Sequence, residues 1–325
     1  MRILRHILVL ALILPLIPPV NGQIEEMINP SDLKQQTIIT EPQTLRKGFF
    51  RIGTGAFFIM TDRLFDEEKN KNYALGTNAY SRIWTYNFDL QYGITDWLQV
   101  SMRVPVSNNH FFVSGKLEFP GLGHDTIISY KTSGKGLGDS DIGIWVKILQ
   151  EDEIKPSFAL GAFLTVPTGK KDPYNVKNDL EYDHPTGFGH YTLNLSARMK
   201  KTLYPYSVTL FASYFHNFEG EKQFFPDEDP IRFKSGYHLF ISGGTGIHLN
   251  DWIALVNDIN FDTFGKNTYY YDPEESSDGG WTLDYQPGIY FQIRRFRFFE
   301  IVQIPLFGKN SGADPVYSIN MQYLF

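Results

Sequence analysis

Polar and apolar residues alternate along most of this chain. From residue 48 onward, apolar side chains recur at every second position with polar or small ones between, the period of a β-strand with two unlike faces. Residues 80–94 place Trp84, Tyr86, Phe88, Leu90 and Tyr92 on one face and Thr85, Asn87, Asp89 and Gln91 on the other. The scheme repeats in residues 49–60, 97–107, 139–150, 157–168, 191–200, 204–218, 236–249, 252–264, 281–294 and 296–307. It ends in Pro315 to Phe325, where Tyr317, Ile319, Met321, Tyr323 and Phe325 alternate with Ser318, Asn320 and Gln322. About twelve strands are predicted, an even number, as a single-chain barrel of a bacterial outer membrane requires.

Connection lengths alternate too. Residues 95–96, 151–155, 201–203, 250–251 and 294–295 are short, while 61–78, 108–137, 169–187, 219–235 and 265–280 are long and rich in Asp, Glu, Lys, Gly and Pro. Up-and-down antiparallel barrels put short turns in the periplasm and long loops outside the cell. Residues 23 and 325 then both fall on the periplasmic side. Closure follows from the solvent, because an open sheet in hydrocarbon leaves two edges of unsatisfied N–H and C=O groups at several kcal/mol each. Trp97 and Trp252 each follow an Asp in a short turn, where an indole suits the interfacial aromatic ring. The expectation is an all-β transmembrane antiparallel barrel over residues 48–325, in place of an edge-stranded soluble sandwich.

The amino terminus bears on the compartment. Arg2 and Arg5 precede an apolar run, residues 7–17, which is closed by Pro15, Pro18 and Pro19 and followed by Val20-Asn21-Gly22. This is the layout of a cleaved secretory signal over residues 1–22, with Gln23 as the new start, and it points to the outer membrane of a Gram-negative-type envelope. The run is too short for a spanning helix, which needs about 20 apolar residues. Residues 23–47 are polar, contain Pro30 and Pro42 and keep no period; they read as a periplasmic lead-in or as a plug folded back into the barrel. The chain has no cysteine, which excludes a lipid anchor on an amino-terminal Cys and any disulfide. Loss of Arg2 and Arg5 with the signal turns 30 basic against 36 acidic residues into 28 against 36, a net charge of −8, and no nucleic-acid surface is expected. The mean hydropathy is slightly negative, as it is when a wall averages lipid-facing and lumen-facing residues.

Several short runs carry a family likeness: Tyr92-Gly93-Ile94-Thr95-Asp96-Trp97-Leu98, Val104-Pro105, Gly136-Leu137-Gly138-Asp139, Val166-Pro167-Thr168-Gly169, Gly187-Phe188-Gly189 and Pro305-Leu306. In this order and spacing they resemble the outer-membrane barrel family named for the meta-pathway of phenol degradation. The resemblance covers nearly the whole mature chain. It implies an outer-membrane channel or transporter, linked in some members to uptake of aromatic compounds. Trp97 stands where that family often has a polar residue, and Val106 where an aromatic is common.

Other stretches imitate soluble chemistry. Residues 134–139 have the look of a phosphate-cradling glycine loop, but they open an alternating strand rather than a helix. Thr168-Gly169-Lys170-Lys171 lacks the upstream glycine of a Walker loop. An outer-membrane hydrolase needs a Ser polarised by His, or paired carboxylates with a His at the outer mouth. Asp179, Glu181, Asp183, His184 and His190 are the nearest material, in a loop that would be polar in any case. Asp227-Glu228-Asp229 and Asp272, Glu274, Glu275 and Asp278 fit no Ca²⁺ ligand spacing. No catalysis, metal or other cofactor is expected.

The lumen is where function is expected. Alternation points Arg51, Asp89, Arg103, Asp141, Lys147, Arg198, Asp258, Asp262, Asp284 and Arg294 inward, and these are the candidate lumen-lining residues. Facing lipid near the midplane, an Arg or Lys would cost about 2–4 kcal/mol. Phe163, Phe211 and Phe215 share the inward parity, while Phe111, Phe112, Phe119, Tyr269, Tyr270 and Tyr271 sit in loops. Stacking surfaces there favour an apolar or aromatic solute, unless they only pack the loops and the outer ring. Twelve strands lie between the roughly eight whose interior fills with side chains and the roughly 16–18 that leave an open channel. The expectation is passive passage of small solutes; the alternative is a structural or adhesive barrel acting through its outer loops. Expected partners are outer-membrane lipid, the small-molecule solute, and the barrel assembly machinery reading Pro315 to Phe325.

Overall fold

The computed structural model describes residues 44–73, 79–118, 125–171, 176–178, 181–183, 185–222, 229–250, 252–270 and 279–325. Twelve long strands make a closed antiparallel ring: β1 (Phe50–Thr61), β2 (Ala79–Gly93), β3 (Leu98–Glu118), β4 (Ser140–Leu149), β5 (Ser157–Val166), β6 (Thr192–Leu203), β7 (Tyr206–Asn217), β8 (His238–His248), β9 (Ile253–Phe264), β10 (Gly280–Ile293), β11 (Phe296–Lys309) and β12 (Val316–Leu324). Each pairs with the next, and β12 returns to β1 in the register Arg51 opposite Leu324 through Ile59 opposite Val316. Phe325 N–H then donates to Phe50 C=O at 2.7 Å. The ring leaves no long free edge.

Burial is inverted relative to a water-soluble domain. Among the described residues, the largest fully buried side chains are Lys200, Asn260 and Asp284, all pointing into the ring. Leu90, Met102, Ile144, Leu160, Leu195, Leu210 and Ile259 face outward and are exposed. Charged side chains are rarely fully buried in a water-soluble domain, but a polar lumen inside a lipid-facing band demands it. Exposed Trp97, Trp252, Tyr204 and Tyr206 cluster beside the short turns, and Tyr191, Tyr237, Phe307 and Tyr317 near the opposite ends of their strands. The polar tips of the Trp and Tyr side chains meet water while their rings, like that of Phe307, meet lipid.

The short connections are shaped by side chains near their starts. Thr95 Oγ1 accepts the N–H groups of Trp97 and Leu98 at 3.3 and 3.0 Å. Asn250 Oδ1 accepts those of Trp252 and Ile253 at 2.8 and 2.9 Å, and Asp152 Oδ1 those of Ile154 and Lys155 at 2.9 and 2.6 Å. Short polar side chains turn a chain in this way by standing in for a backbone acceptor. The N–H donors of Lys155 and Ile154 hold the Asp152 carboxyl below its ordinary range. One boundary differs from the alternation reading: β6 runs to Leu203, which pairs with Tyr206, so the turn is Tyr204-Pro205 rather than residues 201–203.

The outer connections hold more regular structure than their polar sequences suggest. β3 continues past residue 107 to Glu118 and pairs residue by residue with the strand Asp125–Leu137. A hairpin above the membrane satisfies its own backbone and needs no apolar face, so hydrophobic alternation does not reveal it. Glu219–Lys222, Ile231–Lys234 and Thr268–Tyr269 form one small sheet, and Arg63–Phe65, Lys71–Tyr73 and Ser311–Gly312 another. The second is fastened by Asp314, whose Oδ2 accepts the N–H groups of Asp62 and Arg63 at 2.9 Å each. Its Oδ1 takes the Arg63 guanidinium at 2.6 Å. Burial pushes the Asp314 carboxyl up, but these donors outweigh it and hold the group below its ordinary value of 3.8.

Two outcomes are expected. Replacing Leu195 by Arg puts a charge on the lipid face and costs about 2–4 kcal/mol if the site is near the midplane, read by denaturant unfolding from lipid vesicles against Leu195→Ala. Because the folded Asp314 pKa is depressed, its contribution is whole above the unfolded value and is lost as pH falls through the folded one. Amide exchange at Asp62 and Arg63, taken relative to the intrinsic rate at each pH, should therefore accelerate on acidification below about pH 4. In Asp314→Asn it should be fast already and lack that step.

Candidate functional site

Two adjacent strands illustrate how the lumen stays hollow. On β4 and β5 a glycine faces an aromatic residue twice: Gly143 is opposite Phe163, and Trp145 is opposite Gly161. A Cβ on Gly143 would run into the Phe163 ring, and one on Gly161 would stand 2.8 Å from the Trp145 ring. Each ring therefore lies against the wall over the facing glycine instead of reaching across the barrel. The two rings meet edge to face with centroids 5.3 Å apart, a favourable aromatic geometry. On the next strand, β6, the Arg198 guanidinium stacks on Trp145 at 3.8 Å from the ring centroid, a cation–π contact. A cavity of about 500 Å³ remains in the lumen, bordered by this stack, by Asp89 and Arg103, and by Phe299 and Gln303.

Charges are divided around the ring. Among the described residues, β3 to β6 carry four inward bases, Arg103, Lys147, Arg198 and Lys200, against one inward acid, Asp141. Half the ring away, β9 and β10 carry Asp258, Asp262 and Asp284, with no inward base on either strand among the described residues. Polar partners steady these groups locally. Arg103 Nε donates to Asp89 Oδ1 at 2.8 Å, and Thr165 Oγ1 to Asp141 Oδ1 at 2.6 Å. Gln303 Nε2 donates to Asp284 Oδ2 at 2.8 Å, Arg51 Nη1 to Gln91 Oε1 at 3.2 Å, and His238 Nε2 meets Asp262 Oδ1.

Of the ten expected lumen-lining residues, Arg51, Asp89, Arg103, Asp141, Lys147, Arg198, Asp258, Asp262 and Asp284 stand at inward positions of their strands. Arg294 does not. It occupies the turn between β10 and β11 at φ 53° and is exposed, because β10 ends at Ile293 and parity has no meaning beyond a strand's end. Lys200, Arg297, His238 and His248 also point inward without having been picked out by sequence. The signal was present: Lys200 continues the parity of Ser196 and Arg198, and Arg297 that of Phe299.

The other sequence candidates are more scattered. His190 is buried between Phe188 and Phe233, with Nε2 3.0 Å from Ser235 Oγ. Asp179, His184, Asp227, Glu228 and the acidic run 272–278 lie outside the described residues, as do the side chains of Glu181 and Asp183. At the periplasmic rim, residues 44–46 run along the lumen side of the wall. Leu45 is buried there, its N–H donating to the inward Gln99 Oε1 at 2.9 Å, and Thr44 Oγ1 donates to Asp96 C=O at 2.9 Å. The signal expected over residues 1–22 and the rest of the lead-in, residues 23–43, lie outside the described residues.

No family model matches the chain. Among solved structures it is similar to an outer membrane channel from Pseudomonas putida F1, at 14% identity and a TM-score of 0.67, over 89% of this chain and 100% of that one. It is more distantly similar to the P. putida toluene transporter TodX, at 9% identity and a TM-score of 0.45, over 86% of this chain and 89% of that one. The first likeness spans an entire channel barrel, and the fold of this chain is that of an outer-membrane channel.

Proposed function

We propose that the chain is a passive outer-membrane channel for small solutes that combine an aromatic or apolar body with a polar edge. The observation that carries this reading is the hollow lumen, in which glycines opposite Phe163 and Trp145 let bulky side chains lie along the wall. A barrel serving only as a scaffold gains stability by filling its interior, since packed cores lose contacts at every void. The same cavity is lined by rings, among them Trp145, Phe163, Phe211 and Phe299, interleaved with amides and carboxylates such as Asp89, Gln91, Asp141 and Asn194, which suits a solute with two kinds of surface. Passage down a gradient involves no bond-making step and no cofactor, and we assign no catalytic role. The seat of residues 44–46 inside the periplasmic rim supports a lead-in that enters the mouth. A second reading, a barrel acting through its loops, is favoured by the hairpin of β3 and Asp125–Leu137 above the wall.

Single-channel recording of the refolded mature chain in a planar bilayer separates these readings. Discrete conductance steps are expected, larger in a chain lacking residues 23–43 if the lead-in obstructs the mouth. Arg103→Gln and Arg198→Gln should each shift the reversal potential toward cation preference, since each removes a base from the lumen. A folded barrel that stays silent in both forms would favour the loop-mediated role. For the solute class, block of the current by benzoate should weaken roughly two- to tenfold in Trp145→Ala, the range given by about 0.5–1.5 kcal/mol for one aromatic contact. Equal block in both proteins would remove the Trp145–Phe163 pair from the account.

A further inference from the structure

Short runs that stand out in the sequence, far apart along the chain, meet at one joint on the outer mouth. Asp139 lies just before β4, and its carboxylate reaches two backbone donors. Oδ1 accepts Gly169 N–H at 2.9 Å, and Oδ2 accepts Phe188 N–H at 2.6 Å. Thr168 Oγ1 donates to Gly138 C=O at 2.7 Å, and Thr186 Oγ1 to Leu137 C=O at 2.6 Å. From the neighbouring strand β3, the inward Asn109 donates its Nδ2 to Pro185 C=O at 3.1 Å. Gly138 N–H donates to Pro105 C=O at 2.8 Å, and the Pro105 ring packs over Gly138.

Two glycines make the joint possible. A Cβ on Gly169 would stand 2.7 Å from the Gly187 Cα, and a Cβ on Gly187 would run into Asp139 Oδ1 and stand 2.8 Å from the Gly169 Cα. Only a pair of glycines lets the two backbones touch while the carboxylate reaches past both. Since Asn109 occupies an inward position of β3, its bond to Pro185 C=O holds the start of residues 185–188 on the lumen side of the rim.

We propose that residues 185–188 are a fixed strap across part of the outer mouth, pinned by Asp139, and that this strap sets the largest solute the channel admits. The proposal rests on the channel reading above. A strap fastened only by its own side chains would fluctuate with the loop. One whose backbone donors end on a carboxylate rooted in the wall is held at constant depth, because charge-assisted hydrogen bonds to backbone N–H groups are among the stronger non-covalent fasteners.

Gly187→Ala and Asp139→Asn test it in the full mature chain reconstituted in liposomes and planar bilayers, with folding checked by heat-modifiable gel migration. Gly187→Ala disturbs the joint without changing charge, so its effect on neutral sugars of graded size cannot be electrostatic. Both variants should admit larger sugars than the parent and raise single-channel conductance by about twofold or more. Trypsin should cut them faster after Lys170 and Lys171. Thr186→Val, which deletes one hydrogen bond, replaces either variant that does not fold. Unchanged sugar cut-off and conductance in folded variants of a conducting parent overturn the strap and leave the channel standing. A parent and variants that are all silent while folded overturn the channel reading and the strap with it. A silent parent with conducting variants supports the strap as the closing element and rejects only the freely open pore.

Discussion

Everything in this molecule depends on one constraint: within hydrocarbon, each backbone N–H and C=O must find its partner inside the protein. A single pair of strands cannot meet it, and neither can an open sheet, because the outer ladders stay unsatisfied. The ring from β1 to β12 meets it by joining the two ends of the barrel sequence, Arg51 with Leu324 and Ile59 with Val316. Once the ring closes, a side chain has only two places to go, lipid or lumen, and the period of two becomes visible in the sequence. The inverted burial follows. Lys200 and Asp284 are buried and Leu195 is displayed because the solvent outside is apolar and the space inside is polar.

Closure leaves the question of what fills the ring. Twelve strands enclose more space than alanines and serines occupy, and inward Phe, Trp and Arg side chains of ordinary rotamer could close it. The exchange of glycine and aromatic residues across β4 and β5 works against that, because the volume missing at Gly143 and Gly161 is taken up by rings lying along the wall. The Arg198 guanidinium, laid on the indole at 3.8 Å, is likewise kept against the wall. An ion pair such as Arg103 with Asp89 is half exposed to this space, so its net contribution to stability is small. Its larger effect is on the electrostatic field inside the lumen.

The wall was legible in the sequence and the rims were not, for a physical reason. Strand number, the sense of the turns, and inward placement of residues such as Arg51, Asp89 and Arg198 all follow from parity, which the membrane imposes on every wall position. Arg294 shows where parity fails: one residue past Ile293 the backbone turns at positive φ and the side chain leaves the alternation. The β3 hairpin escaped notice because outside the membrane a strand has no apolar face to advertise it. Lys200 was readable too, since it closes the predicted strand 191–200 on the parity of Ser196 and Arg198. The Asp139 joint lay beyond reach altogether. Its hydrogen bonds span 30 and 49 residues of sequence, and nothing in the local pattern of residues 136–139 says which distant amides the carboxylate will accept.

The short runs that stand out in the sequence bear on the same division. Tyr92 to Leu98 lies at the inner rim, where Gly93 N–H and C=O pair with Phe49 and Gly48 and Asp96 Oδ1 accepts Lys47 N–H at 3.0 Å, fixing where the chain enters β1. Pro105, Gly138-Asp139, Thr168-Gly169 and Gly187-Phe188 lie together at the outer mouth. Parity along the wall is satisfied by many sequences, since any apolar residue serves on one face and any small or polar one on the other. A joint is satisfied by few, since it needs a carboxylate at one position and the absence of a Cβ at two others. Two barrels can therefore keep a common backbone at 14% identity, while the joints that few sequences satisfy lie at the two rims of this one.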